Sequence, residues 1–266
     1  MDLELRGKTA IVTGGSRGIG KAIARELARE GADLALVARG REALEVAAAE
    51  LAQESGRRVL PLVADTGDDA AVRDMVKQAA DGLGHLGILV NCAAQPGGQA
   101  TPPRLAEIAD DHFWAHMNVK VMGYLRCARE VAPHMIRQGW GRIINVSGLG
   151  ARRTGDTVGS MRNVAVVALT KNLADELGPS GINVTVVHPG TTRTEKTPGV
   201  LARQAQALGI SEQDAERRLG EGNLLRRLIT AQEIAYVVAF LASPKAVAIN
   251  GDVIAAGGGA PRSIHY

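Results

Sequence analysis

A chain of 266 residues, 45% hydrophobic and 22% charged, has the balance of a globular domain and enough length for a substantial core. Its net charge is only +3, with 31 basic residues scattered among 28 acidic ones, and aromatics at 3% build no stacking platform, which argues against nucleic acid as a partner. No apolar run approaches the ~20 residues that span a bilayer, and the charged start Met1–Lys8 is unlike a signal peptide, so a cytoplasmic protein with no membrane partner is expected.

The cysteines Cys92 and Cys127 have neither disulfide nor metal spacing, so no metal site is expected. In chain order, the short apolar run Thr9–Val12 leads into Thr13-Gly14-Gly15-Ser16-Arg17-Gly18-Ile19-Gly20 and then into a helical pattern, Lys21–Leu27. Glycine there lets the backbone turn tightly and approach a diphosphate, and the following helix start offers free N–H groups to the anion. The competing reading of a plain glycine turn loses ground because the motif sits between strand and helix. Gly31 is placed to stop the helix, and the run Asp33–Ala38 follows. A helix over Glu42–Ser55 leads to the run Val59–Ala64, where Pro61 points to a sheet edge or to a strand that starts after it. A helix over Asp69–Leu83, the run Leu86–Asn91, one long helix over Asp110–Gln138 and the buried strand Arg142–Ser147 come next. A helix over Gly159–Leu177 and the strand Asn183–Val187 follow. After Arg193 the pattern is polar and irregular until a helix over Ala231–Leu241 and a last run, Asp252–Ala256.

Apolar runs alternating with amphipathic helices imply βαβ units, hence an α/β fold with a parallel sheet covered on both faces. No linker or repeat divides residues 1–266, so a single domain is expected, with the stretch 195–227 as a substrate lid. Gly14, Arg39, Asp65, Asn91, Ser147 and Pro189 all fall at strand exits and are expected to line one crevice. Near the end of the second run, ~20 residues past the loop, stands Arg39 rather than a carboxylate. With Arg17 as a second cation, NADP(H) is favoured over NAD(H).

Over nearly its whole length the chain resembles the classical short-chain dehydrogenase/reductase family. The matching residues are Thr13-Gly14 with Gly18-Ile19-Gly20, Asp65, Asn91-Cys92-Ala93-Ala94, Asn118, Pro189-Gly190 with Thr194, Ile249-Asn250-Gly251 and Gly257-Gly258. The resemblance implies a doubly wound Rossmann-type fold of three layers (αβα), oxidation or reduction of a hydroxyl or carbonyl on a small-molecule substrate, and a homodimer or homotetramer. It implies a cofactor held by Gly14, Ser16, Arg17, Gly18, Ile19, Gly20, Arg39, Asp65, Thr66, Asn91, Ala93, Asn163, Pro189, Gly190, Thr192 and Thr194.

The chain departs from the family where the chemistry is done. Members carry a Ser after the fifth strand and a Tyr-(three residues)-Lys on the next helix; these positions fall on Gly148, Gly159 and Asn163. Candidate replacements are Ser147 and Ser160 beside the vacated positions, and His188, which titrates near neutrality. Asn118 remains from the family's pattern, and Arg152, Arg153 and Arg162 are candidate cations for an oxyanion or an acidic substrate. Three readings stay open: an oxidoreductase with a non-standard proton source, a non-catalytic NADP(H)-binding sensor or inactive oligomer partner, and a lyase or isomerase on the same scaffold.

Overall fold

The computed structural model describes residues 1–95, 102–262 and 264. Its strands are β1 (Thr9–Thr13), β2 (Asp33–Ala38), β3 (Val59–Val63), β4 (Ile88–Asn91), β5 (Gly141–Val146), β6 (Ile182–Pro189), β7 (Thr192–Arg193), β8 (Ile229–Thr230) and β9 (Val253–Ala256). Seven of them form a parallel sheet in the order β3-β2-β1-β4-β5-β6-β9, and β7 pairs with β8 beside it. Every residue of β1, β4, β5 and β6 is buried, the condition in which a strand reads as a continuous apolar run. Pro61 lies inside β3, and β3 is the edge strand, where a missing N–H costs least.

Helices cover both faces. On one side α1 (Gly18–Arg29), α2 (Arg41–Ser55) and α9 (Ala231–Ala242) pack their apolar stripes against the sheet. On the other lie α3 (Asp69–Leu83), α5 (Gly123–Gln138) and α6 (Thr157–Leu177). The result is a three-layer doubly wound fold, in which the order of strand addition reverses between β1 and β4 while all strands stay parallel.

Two elements differ from the expectation. The helix expected over Asp110–Gln138 divides into α4 (Asp110–Met117), a π turn over Asn118–Met122, and α5. Such a turn adds a residue to the helical repeat and resets which side chains face inward. The stretch after Arg193, read as irregular, contains α7 (Thr197–Leu208) and α8 (Glu212–Gly220). Leu201 and Ala205 of α7 pack on Ala215 of α8 in a small core of their own, and Ser211 caps α8 by accepting the Asp214 N–H at 3.0 Å. A polar segment can be helical when so few apolar contacts suffice to hold it.

Candidate functional site

The strand exits open on a cavity of about 1070 Å³, bounded by the β1–α1 loop, the ends of β2 to β6, the start of α6 and the helix α7. Glycine is required in its floor. Gly14 has φ +68°, and a Cβ there would lie 3.1 Å from the Cys92–Ala93 backbone; a Cβ on Gly20 would lie 2.3 Å from the Gly14 carbonyl oxygen. Thr13 Oγ1 ties the loops together by accepting the N–H groups of Cys92 (3.0 Å) and Ala93 (3.2 Å). The first turn of α1 contains no acidic residue and its N-cap, Arg17, makes no side-chain cap, which leaves N–H groups for an anion. A protein carboxylate already answers one of them: Gly18 N–H donates to Glu195 Oε2 at 3.2 Å. A loop from which side chains are excluded, leading to an uncapped helix start, fits the diphosphate of a dinucleotide.

Of the expected cofactor residues, all line the cavity except Asn91. Asn91 is buried beneath it and donates from Nδ2 to Asn145 Oδ1 at 2.9 Å. Arg17 and Arg39 are exposed on the wall, and Arg39 reaches Asp65 at 3.9 Å.

The four residues expected to do chemistry divide evenly. Ser147 and Ser160 line the cavity, but both hydroxyls donate to backbone carbonyls: Ser147 Oγ to Asn163 O at 3.1 Å, and Ser160 Oγ to Asp156 O. Asn118 and His188 are not on its wall. Asn118 donates from Nδ2 to Gly67 O at 3.1 Å and accepts Arg126 Nη1 at 2.9 Å, joining the α3 entrance to α5. His188 is 1% exposed and its Nδ1 accepts the Gly148 N–H at 3.3 Å. Burial, then the charges of Arg152 and Lys120, lower its pKa to about 4, so near pH 7 it is neutral and no longer a general acid.

Lys120 is the residue that sequence reasoning missed. It lies in the π turn, is 4% exposed, and lines the cavity. Its ammonium donates to Ser147 O at 2.9 Å and to Asn163 Oδ1 at 3.0 Å, leaving the third N–H free of any bond among the described residues. A positive charge thus stands against the side chain at the position where the resemblance expects a lysine, delivered from the neighbouring helix. Burial first, and Arg162 second, bring the Lys120 pKa down to about 7. The signal was present in the sequence: Lys120 falls on one helical stripe with Tyr124, Cys127, Ala128, Val131 and Met135, all buried, whereas Asn118 lies off that stripe. Cys92, also on the wall, has its thiol pushed up to about 11 by burial and is no nucleophile near neutrality.

The fold and the cavity define a dinucleotide-binding α/β protein. A family profile described as Enoyl-(Acyl carrier protein) reductase matches residues 14–261. Oxidoreductase UcpA of Escherichia coli (strain K12) is 35% identical over 269 residues, covering 98% of each chain. NADPH-dependent reductase BacG of Bacillus subtilis is 30% identical over 260 residues, 97% of this chain and 99% of its own. L-sorbose reductase from Gluconobacter frateurii, solved with NADPH and L-sorbose, superposes with a TM-score of 0.93 at 28% identity, over 99% of this chain and all of its own. The chain belongs to the short-chain dehydrogenase/reductase family of oxidoreductases. Among the described residues no helix is long and apolar enough to cross a membrane, and no cluster of metal-ligating side chains is present.

Proposed function

We propose that this protein is an NADP(H)-dependent oxidoreductase acting on a hydroxyl or carbonyl substrate, with Lys120 as its non-standard proton source. The observation that carries the reading is one continuous cavity, walled by Arg17 and Arg39 at one end and by Lys120 and Asn163 at the other. The two arginines suit a 2′-phosphate, and the glycine loop with the α1 start suits the diphosphate. When bound, the cofactor supplies or accepts a hydride at the substrate carbon. Lys120 then holds the proton at Nζ for the substrate oxygen; with a pKa of about 7, both its forms are populated near neutrality. Ser147 O and Asn163 Oδ1 fix the direction of the ammonium, and α7 and α8 form a lid that excludes water. The relative solved with NADPH and the relative named an NADPH-dependent reductase support the same reading by likeness.

NADPH is expected to bind more tightly than NADH in a fluorescence titration, and Arg39→Asp is expected to reverse that order. Equal affinities in the unmodified protein would remove the basis for the NADP(H) preference. Single-turnover loss of NADPH absorbance with a panel of small ketones tests the chemistry. The reading of a non-catalytic NADP(H) sensor is favoured by Gly148 and Gly159, which bring no hydroxyl to the site; it is upheld if NADPH binds and no carbonyl consumes it.

A further inference from the structure

Buried cations are ordinarily paired, because burial strips them of water and only a partner offsets the loss. Arg162 breaks that pattern. It lies on α6, is 6% exposed, and lines the cavity. Its Nη1 donates to Gln95 O at 3.2 Å and touches His116 Nδ1, both neutral partners. No ion pair to Arg162 occurs among the described residues, and its Nε is buried without a hydrogen-bond partner. The other buried side-chain atoms so orphaned among the described residues, Arg57 Nε and Asn91 Oδ1, are not on the cavity wall. Nη2 of Arg162 makes no hydrogen bond among the described residues either, so the whole Nε–Nη2 edge of the guanidinium is unused.

Among the described residues no carboxylate pairs directly with this charge. Lys120, the second buried cation of the same wall, adds to it. The carboxylate that acts on Arg162 is Asp156, which lies outside ion-pairing distance and is engaged in capping α6, accepting the Gly159 N–H at 2.8 Å. His116 is held neutral, its pKa lowered by burial and then by Arg162 itself. A guanidinium edge presents two parallel N–H donors, the pattern that matches the two coplanar oxygens of a carboxylate.

Resting on the reading of the cavity as an NADP(H) site, we propose that the substrate is an oxo- or hydroxycarboxylate, its carboxylate paired with the Arg162 guanidinium on the cavity wall. The substrate brings the anion that the described residues do not supply, and its reacting oxygen shares the cavity end with Lys120. A neutral ketone of the same size would leave Arg162 buried and unpaired, which discriminates against it.

The test uses the full chain saturated with NADP+ and, as probes, oxamate, its neutral analogue oxamide, and inorganic phosphate, followed by calorimetry. Oxamate is expected to bind at least about 10–100-fold more tightly than oxamide, the worth of a hydrogen-bonded charge. Arg162→Gln should erase that preference, and Arg162→Lys, which keeps the charge without the paired donors, should keep part of it. The affinity for NADP+ in both variants should stay within about twofold of the unmodified protein. Equal binding of oxamate and oxamide to the unmodified protein overturns the proposal, as does an unchanged preference in Arg162→Gln. Phosphate binding as tightly as oxamate overturns the assignment to a carboxylate. Should Arg162→Gln not fold, the probe comparison on the unmodified protein decides alone. Absence of NADP+ binding in the unmodified protein would instead overturn the cofactor reading beneath it.

Discussion

A lysine forced into a protein interior keeps its charge only at a cost, and Lys120 shows what that cost does. The ordinary lysine pKa of 10.5 falls to about 7 on burial. Below pH 7 the folded and unfolded chains both hold the proton, so the cost of burying the charge is fully present. Between about 7 and 10.5 only the unfolded lysine holds it, so stability rises with pH, and above 10.5 the cost is gone. Relative to Lys120→Met, the unmodified protein is therefore expected to gain stability from pH 7 toward 10. The slope is at most about 1.4 kcal/mol per pH unit, with none below pH 7. Parallel denaturation curves for the two proteins across that range would show that the ammonium is not what titrates. Burial lowers the His188 pKa in the same direction, to about 4, so that it serves as a neutral acceptor fixing Gly148, and the expectation of a proton donor there yields to burial.

At the scale of elements, the start of α1 is held in an answered state. Glu195, just before α7, places a carboxylate on the Gly18 N–H, where the cofactor diphosphate is proposed to sit. A phosphate bound at that N–H would compete with the Glu195 carboxylate. Neutralising the group lowers the competition: Glu195→Gln is expected to tighten NADPH binding about 2–5-fold, the worth of a charge at a helix start. Weaker binding in the titration would mean that Glu195 holds the lid in its receptive position instead. The π turn is the second element with a consequence. Within it Lys120 meets the cavity from the inward stripe, while Asn118 bonds Gly67 and Arg126 instead.

At the scale of the whole molecule, the face of α6 that turns from the sheet carries Met161 and Val164, 49% and 50% exposed, with Trp114 of α4 also uncovered. We propose these exposed apolar side chains on neighbouring helices as an association surface. The proposed homodimer or homotetramer uses these helices. Light scattering at micromolar concentration is expected to find an oligomer and Val164→Glu a monomer. A monomeric unmodified protein would contradict it.

Much of this was legible in the chain itself, for stated reasons. A parallel sheet buried on both faces writes each strand as an apolar run, and helix α3 with its Asp68 cap and Gly84 stop was readable to its ends. The glycine loop was legible because Gly14 and Gly20 meet backbone that admits no Cβ, and the vacated Gly148 and Gly159 because a missing tyrosine is visible in any register. The lid helices and the identity of the cavity's cation were not read, although caps and the buried stripe hinted at both. Only tertiary structure decided these, since the sequence states what a side chain is, whereas its basicity and its partners depend on what packs around it. Lys120 and Asn163 are 43 residues apart and share a bond; Arg162 is one arginine among many until its neighbours are seen to leave it unpaired.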